Sequence, residues 1–370
     1  MRVSREQARR FLVNRSGFGG RWAGPLMAVR GLGYVQVDPI QVVERNHHLV
    51  LRARVPSYQP EQLDHLLYRE RELVEVVTTV RCIVPVETFP LFLTRFRALE
   101  ARYRPGLSAL EPTLEAVLGT ITERGPMSPR CFDSREKVEG WWDPDGEAGT
   151  RAVSQALEWL WHFGRIVIHH REGNLRYFDL PERVLGPVEP RGDDGHLARL
   201  YFSAVGLADP RDVHFAWGRL KAPERKRLAE EAVARGEVLP VAMEDGGGLY
   251  YLPAGEEEEL RNGRPAEGGL RFLPPLDNLI IDRRRTAAIF GFDYTWEAYL
   301  PPARRTYGPY TMAILAGEEL VGRFAPRLNR RQGVLQVEGV WWQREPQGGF
   351  RDALEEWARW QGAQSVEGMP

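Results

Sequence analysis

The sequence predicts an α+β protein in which a small helix–turn–helix–hairpin unit repeats and then gives way to a strand-rich C-terminal part. Three observations carry this expectation. Helical apolar spacing recurs in blocks of 10 to 15 residues. Twice such a block stops at glycine and an apolar strand starts at once, in "HFGRIVI" at 162–168 and "ARGEVLPV" at 234–241. After about residue 256 the pattern turns to alternating runs separated by tight turns.

The middle unit reads most clearly. "TLEAVLGTITERGPMSPRCF" places apolar residues at 114, 117, 118 and 121, then a Gly-Pro turn and a short second helix. "TRAVSQALEWLWHFG" predicts a third helix ending at Gly164, and "RIVIHHREGNLRYFDL" predicts a hairpin around a polar turn. That order is the winged-helix order. It returns in "GHLARLYFSAVGLADPRDVHFAWG", "APERKRLAEEAVARG" and "EVLPVAMEDGGGLYYLP". An N-terminal copy is expected from "SREQARRFLVNR", "GPLMAVRGLG" and "YVQVDP", with a less regular hairpin. The expected division is a winged helix over 1–110, a second over 111–190, a third over 191–255, and a β-rich domain over 256–370. In that last part "NLIIDRRRTAAIFGFD" has helical spacing. "YTWEAYLP", "YTMAILAGEELVGRFAPRL" and "GVLQVEGVWW" alternate like strands, and "RDALEEWARWQGA" predicts a closing helix.

Composition is that of a soluble globular protein, with 43% hydrophobic and 27% charged residues. The chain shows neither a membrane-length apolar run nor a signal-peptide core, and Cys82 and Cys131 make no disulfide framework or metal set. A reducing cytoplasm is the expected location. The net charge of −1 gives no argument for a nucleic-acid partner. Residue type says more: only 3 of the 50 cations are lysine, and arginine's planar fork suits phosphates and base edges. Biased codon usage would produce the same preference.

The segment "GLGYVQVDPIQVVERNHHLVLRARV" at 31–55 sets a carboxamide and a carboxylate, Gln36 and Asp38, among strand-forming residues. On a strand, positions i and i+2 share a face, where the pair could orient and activate a water. The alternative is that Asp38 caps a helix after Pro39 and Gln36 is merely exposed. Arg45, His47, His48, Arg52 and Arg54 follow. They read either as contacts to a phosphate backbone or as a solvated face. Adjacent histidines cannot both face one metal, so no metal site is expected. The tryptophans of "GWW" (140–142) and "VWW" (340–342) read as core and interface residues, with stacking platforms as the alternative. No phosphate-binding P-loop occurs, and "GFGG" at 17–20 is too short a signal for one.

On these residues the chain resembles the YcaQ/AlkZ family of bacterial winged-helix DNA glycosylases, which remove N-alkylated purines and unhook interstrand crosslinks. The family's Gln–apolar–Asp motif falls on Gln36, Val37 and Asp38, and the arginines that follow it fall on Arg45 and Arg54. Further blocks stand in family order: "RGPMS", "GWW", "YFDLPERVL", "IDRRRTAAIFGFDY", "PPARRTYG" and "LVGRFAPRLNRRQGVL". The resemblance implies catalysis by Gln36 and Asp38. It implies DNA contacts from Arg45, His47, His48, Arg52, Arg54, Arg283, Arg285, Arg304, Arg305 and Tyr307. It implies double-stranded DNA carrying alkylated or crosslinked purines as the partner, a nucleoid-associated monomer, and no cofactor or metal. Val77 and Thr79 stand where the family often has Trp-x-His. Pro309 interrupts its Tyr-Gly-Tyr, and "DPDGEAG" replaces a Trp-Lys-Pro stretch. A rival expectation is a multi-winged-helix regulator without catalysis, which would prefer one DNA sequence and release no base. A protein-binding scaffold would show no salt-dependent DNA affinity.

Overall fold

One local pattern occurs three times. The helices Pro25–Leu32, Glu111–Arg124 and Asp194–Val205 are each followed by a glycine in the left-handed region, Gly33, Gly125 and Gly206, with φ of 73°, 88° and 79°. At Gly33 a side chain is excluded sterically too, because a Cβ would lie 2.6 Å from the Cβ of Ala204. Three residues past each helix comes a strand position. Val35 opens the strand Val35–Gln36, Met127 bridges Phe178, and Ala208 bridges Tyr251.

Two helical segments and an antiparallel hairpin follow each time. Asn46–Arg52 and Pro60–Tyr68 precede the hairpin Leu73–Val77/Arg81–Pro85. The single turn Pro129–Cys131 and the helix Ala152–His162 precede Val167–Glu172/Leu175–Asp179. Phe215–Trp217 and Ala222–Ala234 precede Val238–Met243/Leu249–Pro253, whose first strand also pairs in parallel with Arg2–Val3. The first copy is therefore displaced from its expected place. The helix Arg5–Arg15 lies before it, "GPLMAVRGLG" supplies its first helix, and its hairpin comes near residue 80 rather than after Tyr34.

The computed structural model describes residues 1–139, 149–212, 214–266, 268–346 and 348–368. The "GWW" block and all but the last residue of "DPDGEAG" lie outside the described residues. The chain forms two compact units, Met1–Pro60 with Ala198–Pro370, and Glu61–Leu197. Boundaries at 110, 190 and 255 do not coincide with these units, and the cause is a shared core. Phe11 and Leu12 of the N-terminal helix pack in one cluster with Leu252, Leu279, Ile289, Tyr294 and Leu315. The C-terminal strands are thus continuous with the N-terminus. The second unit has its own core, built on Leu114, Val117, Ile121, Leu157, Trp161 and Phe178.

A five-stranded sheet occupies the C-terminal part, in the order Leu270–Leu273, Met312–Ala316, Glu319–Asn329, Val334–Trp342 and Ser365–Glu367. All neighbours are antiparallel except the last pair. The closing helix Phe350–Trp360 forms where expected and sets Trp357 edge-on to Phe272 and Phe324. "YTWEAYLP" makes no strand. Glu297–Tyr299 within it and Pro302–Arg304 just after it form short turns, because Glu297 is drawn onto backbone amides further along. No helix among the described residues is long and apolar enough to cross a membrane.

Candidate active site

Gln36 and Asp38 come from the strand position of the first copy. The strand is shorter than the sequence suggests, covering only Val35–Gln36, so Asp38 stands in the loop that follows. No helix begins at Pro39 either; the next one starts at Asn46. Instead the Asp38 carboxylate accepts the Ile40 amide at 2.8 Å, an Asx turn that bends the chain away. The loop then docks on the C-terminal sheet. Val43 is buried against Leu49 and Phe272, Leu328 donates its amide to the Val42 carbonyl at 3.1 Å, and Arg330 donates to the Val43 carbonyl.

The equivalent positions in the other copies sharpen the reading of Gln36. One residue past the strand position lie Gln36, Ser128 and Asp209, all buried, at 9%, 0% and 3% exposure. Ser128 caps the turn Pro129–Cys131. Asp209 accepts the Arg211 amide at 2.8 Å and its guanidinium at 2.9 Å. Both polar groups are spent on local structure. In the first copy Asp38 performs the turn bond, and Gln36 Oε1 has no hydrogen-bond partner among the described residues. A buried acceptor left open costs free energy, on the order of 1–3 kcal/mol, and invites a functional explanation. Asp38 itself is half-buried and has no ion pair among the described residues. Burial raises its carboxyl above the usual range, and the Ile40 amide only partly offsets that.

Side chains remote in sequence hold this strand. Asn278 donates to the Tyr34 carbonyl at 2.9 Å, and Asn46 donates to the Gln36 carbonyl at 3.0 Å while accepting the Leu276 amide at 3.2 Å. Neither asparagine was singled out in the sequence; the "NLIIDRRRTAAIFGFD" run that begins with Asn278 reads there only as helix.

Several expected DNA contacts belong instead to this bracing. Arg54 is fully buried in a two-pronged pair with Asp277 at 2.6 and 2.8 Å, and donates to the Ser16 and Val50 carbonyls. Arg285 is buried and donates to the Asn278 and Leu279 carbonyls, and Arg283 to those of Ile280 and Pro275. Arg52 pairs with Glu356 at 2.6 Å. These four guanidiniums bond to groups of the protein itself. His47 and His48 lie in the buried helix Asn46–Arg52 and are likewise not presented to a strand. His48 Nδ1 meets the Tyr58 hydroxyl at 2.6 Å; burial, then the Arg45 charge, lowers its pKa to about 4. Arg45 is part-exposed at the start of that helix.

Arg304 is exposed. Arg305 is half-buried and ties its own loop through the Leu300 carbonyl at 2.8 Å. Tyr307 packs edge-on to Trp341, with the Arg323 guanidinium 4.2 Å over its ring. Tyr310, one residue past the Pro309 departure, is buried. Burial, then the nearby Tyr294, Asp38 and Glu44, raise its phenol well above the usual value. It was missed in the sequence, and its signal is its place just after "TYGP". In the other unit, Val77 is buried in the core and Thr79 lies in the turn of the first hairpin, so the departure at Val77 is accommodated as packing.

Strand and turn thus set Gln36, whose buried Oε1 has no hydrogen-bond partner among the described residues, two positions before the half-buried Asp38. A family model for AlkZ-like DNA glycosylases matches residues 29–360, and the chain belongs to that family. Its class is therefore that of a DNA repair glycosylase, a hydrolase whose partner is DNA. Among solved structures the chain is similar to the DNA glycosylase AlkZ of Streptomyces sahachiroi, with a TM-score of 0.66 over 99% of this chain and 100% of that one, at 16% identity. At that identity the likeness speaks for the shared α+β fold.

Proposed function

We propose that this protein is a monofunctional DNA N-glycosylase that releases cationic N-alkylated purines of the N7-alkylguanine type, with Gln36 and Asp38 as its catalytic residues. The observations that carry the proposal are the buried Gln36 Oε1, which has no hydrogen-bond partner among the described residues, and, two residues on, the half-buried Asp38, which has no ion pair among them. An N7-alkylated guanine leaves as a neutral base, taking the glycosidic electrons without needing a proton. What remains is to steady the oxocarbenium-like sugar and to add water at C1′. Asp38 can do the first by charge and the second by taking the water proton, while Gln36 Oε1 accepts the water's other hydrogen. The low pKa of His48 supports a mechanism without that histidine as acid, because the ring is neutral near pH 7.

The thrice-repeated order of helix, strand, two helical segments and hairpin supports three winged helices as the scaffold. A base crosslinked to the opposite strand cannot swing free into an enclosed pocket, so the lesion must be met where it lies. Crosslink opening by a monomer is part of this reading.

The test is release of free base from duplex DNA. N7-methylguanine and N3-methyladenine should be freed, and uracil and 1,N6-ethenoadenine should not. The rate on N7-methylguanine should be level from about pH 6.5 to 8.5 and fall at lower pH as Asp38 protonates. Because burial raises Asp38, that fall should begin above the ordinary carboxylate value near 4. Efficient release of uracil, or a rate that declines as pH rises through 6 to 7, would contradict the mechanism.

A further inference from the structure

The loop from Trp296 to Gly308 is organised around an internal anion. The Glu297 carboxylate is buried and accepts three successive backbone amides, Thr306 at 3.0 Å, Tyr307 at 2.8 Å and Gly308 at 3.0 Å. Gly308 completes the curve at φ 100°. Such a concave run of N–H groups is the kind that ordinarily binds phosphate, and here the protein supplies its own carboxylate. Arg305 closes the loop from the other side onto the Leu300 carbonyl. A loop so heavily bonded holds its shape without a ligand.

That rigid loop displays two groups. Tyr299 is 76% exposed, the most exposed of the large hydrophobic side chains among the described residues, and Trp296 buttresses it edge-on at 5.4 Å. Arg304 is exposed five residues further on. The loop also adjoins the site. Tyr310, two residues beyond Gly308, is buried in one cluster with Val43, and Ile40 and Val42 of the loop that follows Asp38 pack against that cluster. An aromatic face and a guanidinium on one preformed support match the base and phosphate of a nucleic-acid strand.

We propose that this loop grips the DNA beside the lesion: Tyr299 stacks on a neighbouring base, Arg304 meets the adjacent phosphate, and Glu297 is the positioning residue for both. The inference rests on the glycosylase reading above and adds a second element, outside the Gln36–Asp38 motif, that reads the strand.

A duplex carrying N7-methylguanine flanked by 2-aminopurine tests it with the full-length protein. Binding of the wild type should change the 2-aminopurine fluorescence, and Tyr299→Phe should preserve that change. Tyr299→Ala should abolish it and weaken affinity on the order of 10-fold, the usual worth of one stacked base. Glu297→Ala should lose the same signal in a folded protein, and Glu297→Gln, which keeps an acceptor oxygen, should recover part of it. Wild-type affinity and signal in Tyr299→Ala, with base release intact, would overturn this inference and leave the glycosylase reading standing. Loss of the signal in Tyr299→Phe would overturn stacking. A wild type that neither binds the duplex nor releases base would overturn both.

Discussion

Two turns of nearly the same construction, at residues 32–40 and 205–212, differ in what becomes of their carboxylates. Each follows a helix and a left-handed glycine, and each sets a polar residue just past the strand position. In the later turn Asp209 is buried and fully engaged by the Arg211 amide and guanidinium. In the earlier one the carboxylate has moved two residues on to Asp38, bonds the Ile40 amide, and has no ion pair among the described residues. The vacated position holds Gln36 with an open acceptor. A carboxylate satisfied by its own turn is structure. One desolvated and left unpaired is available for chemistry.

The arginines divide along the same line, and the largest expected effect lies there. Arg54→Ala would leave Asp277 charged and unpaired in the core, a loss of roughly 3–5 kcal/mol that urea unfolding should detect. A stable Arg54→Ala protein with weakened DNA affinity would return Arg54 to the interface. Asp209→Ala should cost less, about 1 kcal/mol as for a lost cap, and a folded sample should still release base at the wild-type rate. A large catalytic defect there would erase the distinction between the two turns.

Next in size comes the salt dependence of DNA binding. Arg304→Ala should reduce the slope of log affinity against log salt by about 0.9, one phosphate contact, while Arg305→Ala, whose guanidinium serves its loop, should leave it unchanged. Equal effects would put both on phosphate.

The smallest effect concerns stability. Asp38 is raised in the folded state, so its charged form is disfavoured by folding once the pH exceeds the ordinary carboxylate value near 4. Asp38→Asn should therefore melt slightly higher than wild type at pH 7, and the gain should vanish below about pH 4, where Asp38 is protonated in both states. A lower melting temperature at pH 7 would make Asp38 structural after all.

Much of this was legible in the sequence because it depends on short-range chemistry. Glycine stops, alternating runs and the "QVD" spacing marked the second and third hairpins, the central helices and the Gln36–Asp38 pair. The fate of the arginines was not legible. Arg54 looks like any cation after "HHLVL" until Asp277 arrives from more than 200 residues away. The same holds for the asparagines that clamp the motif strand and for Glu297, whose partners are the amides of a loop nine to eleven residues later. The first copy was misplaced because its two-residue strand and its loop carry no periodicity.

The central claim is that Asp38 is held desolvated and unpaired for hydrolysis of the glycosidic bond. Single-turnover release of N7-methylguanine from duplex DNA, comparing wild type with Asp38→Asn at matched occupancy, tests it most directly. The substitution keeps size and the turn-capping oxygen and removes only the charge. Free base should appear with the wild type and fall on the order of 10²-fold or more with Asp38→Asn, while DNA binding persists. Base release by Asp38→Asn at the wild-type rate would contradict the account.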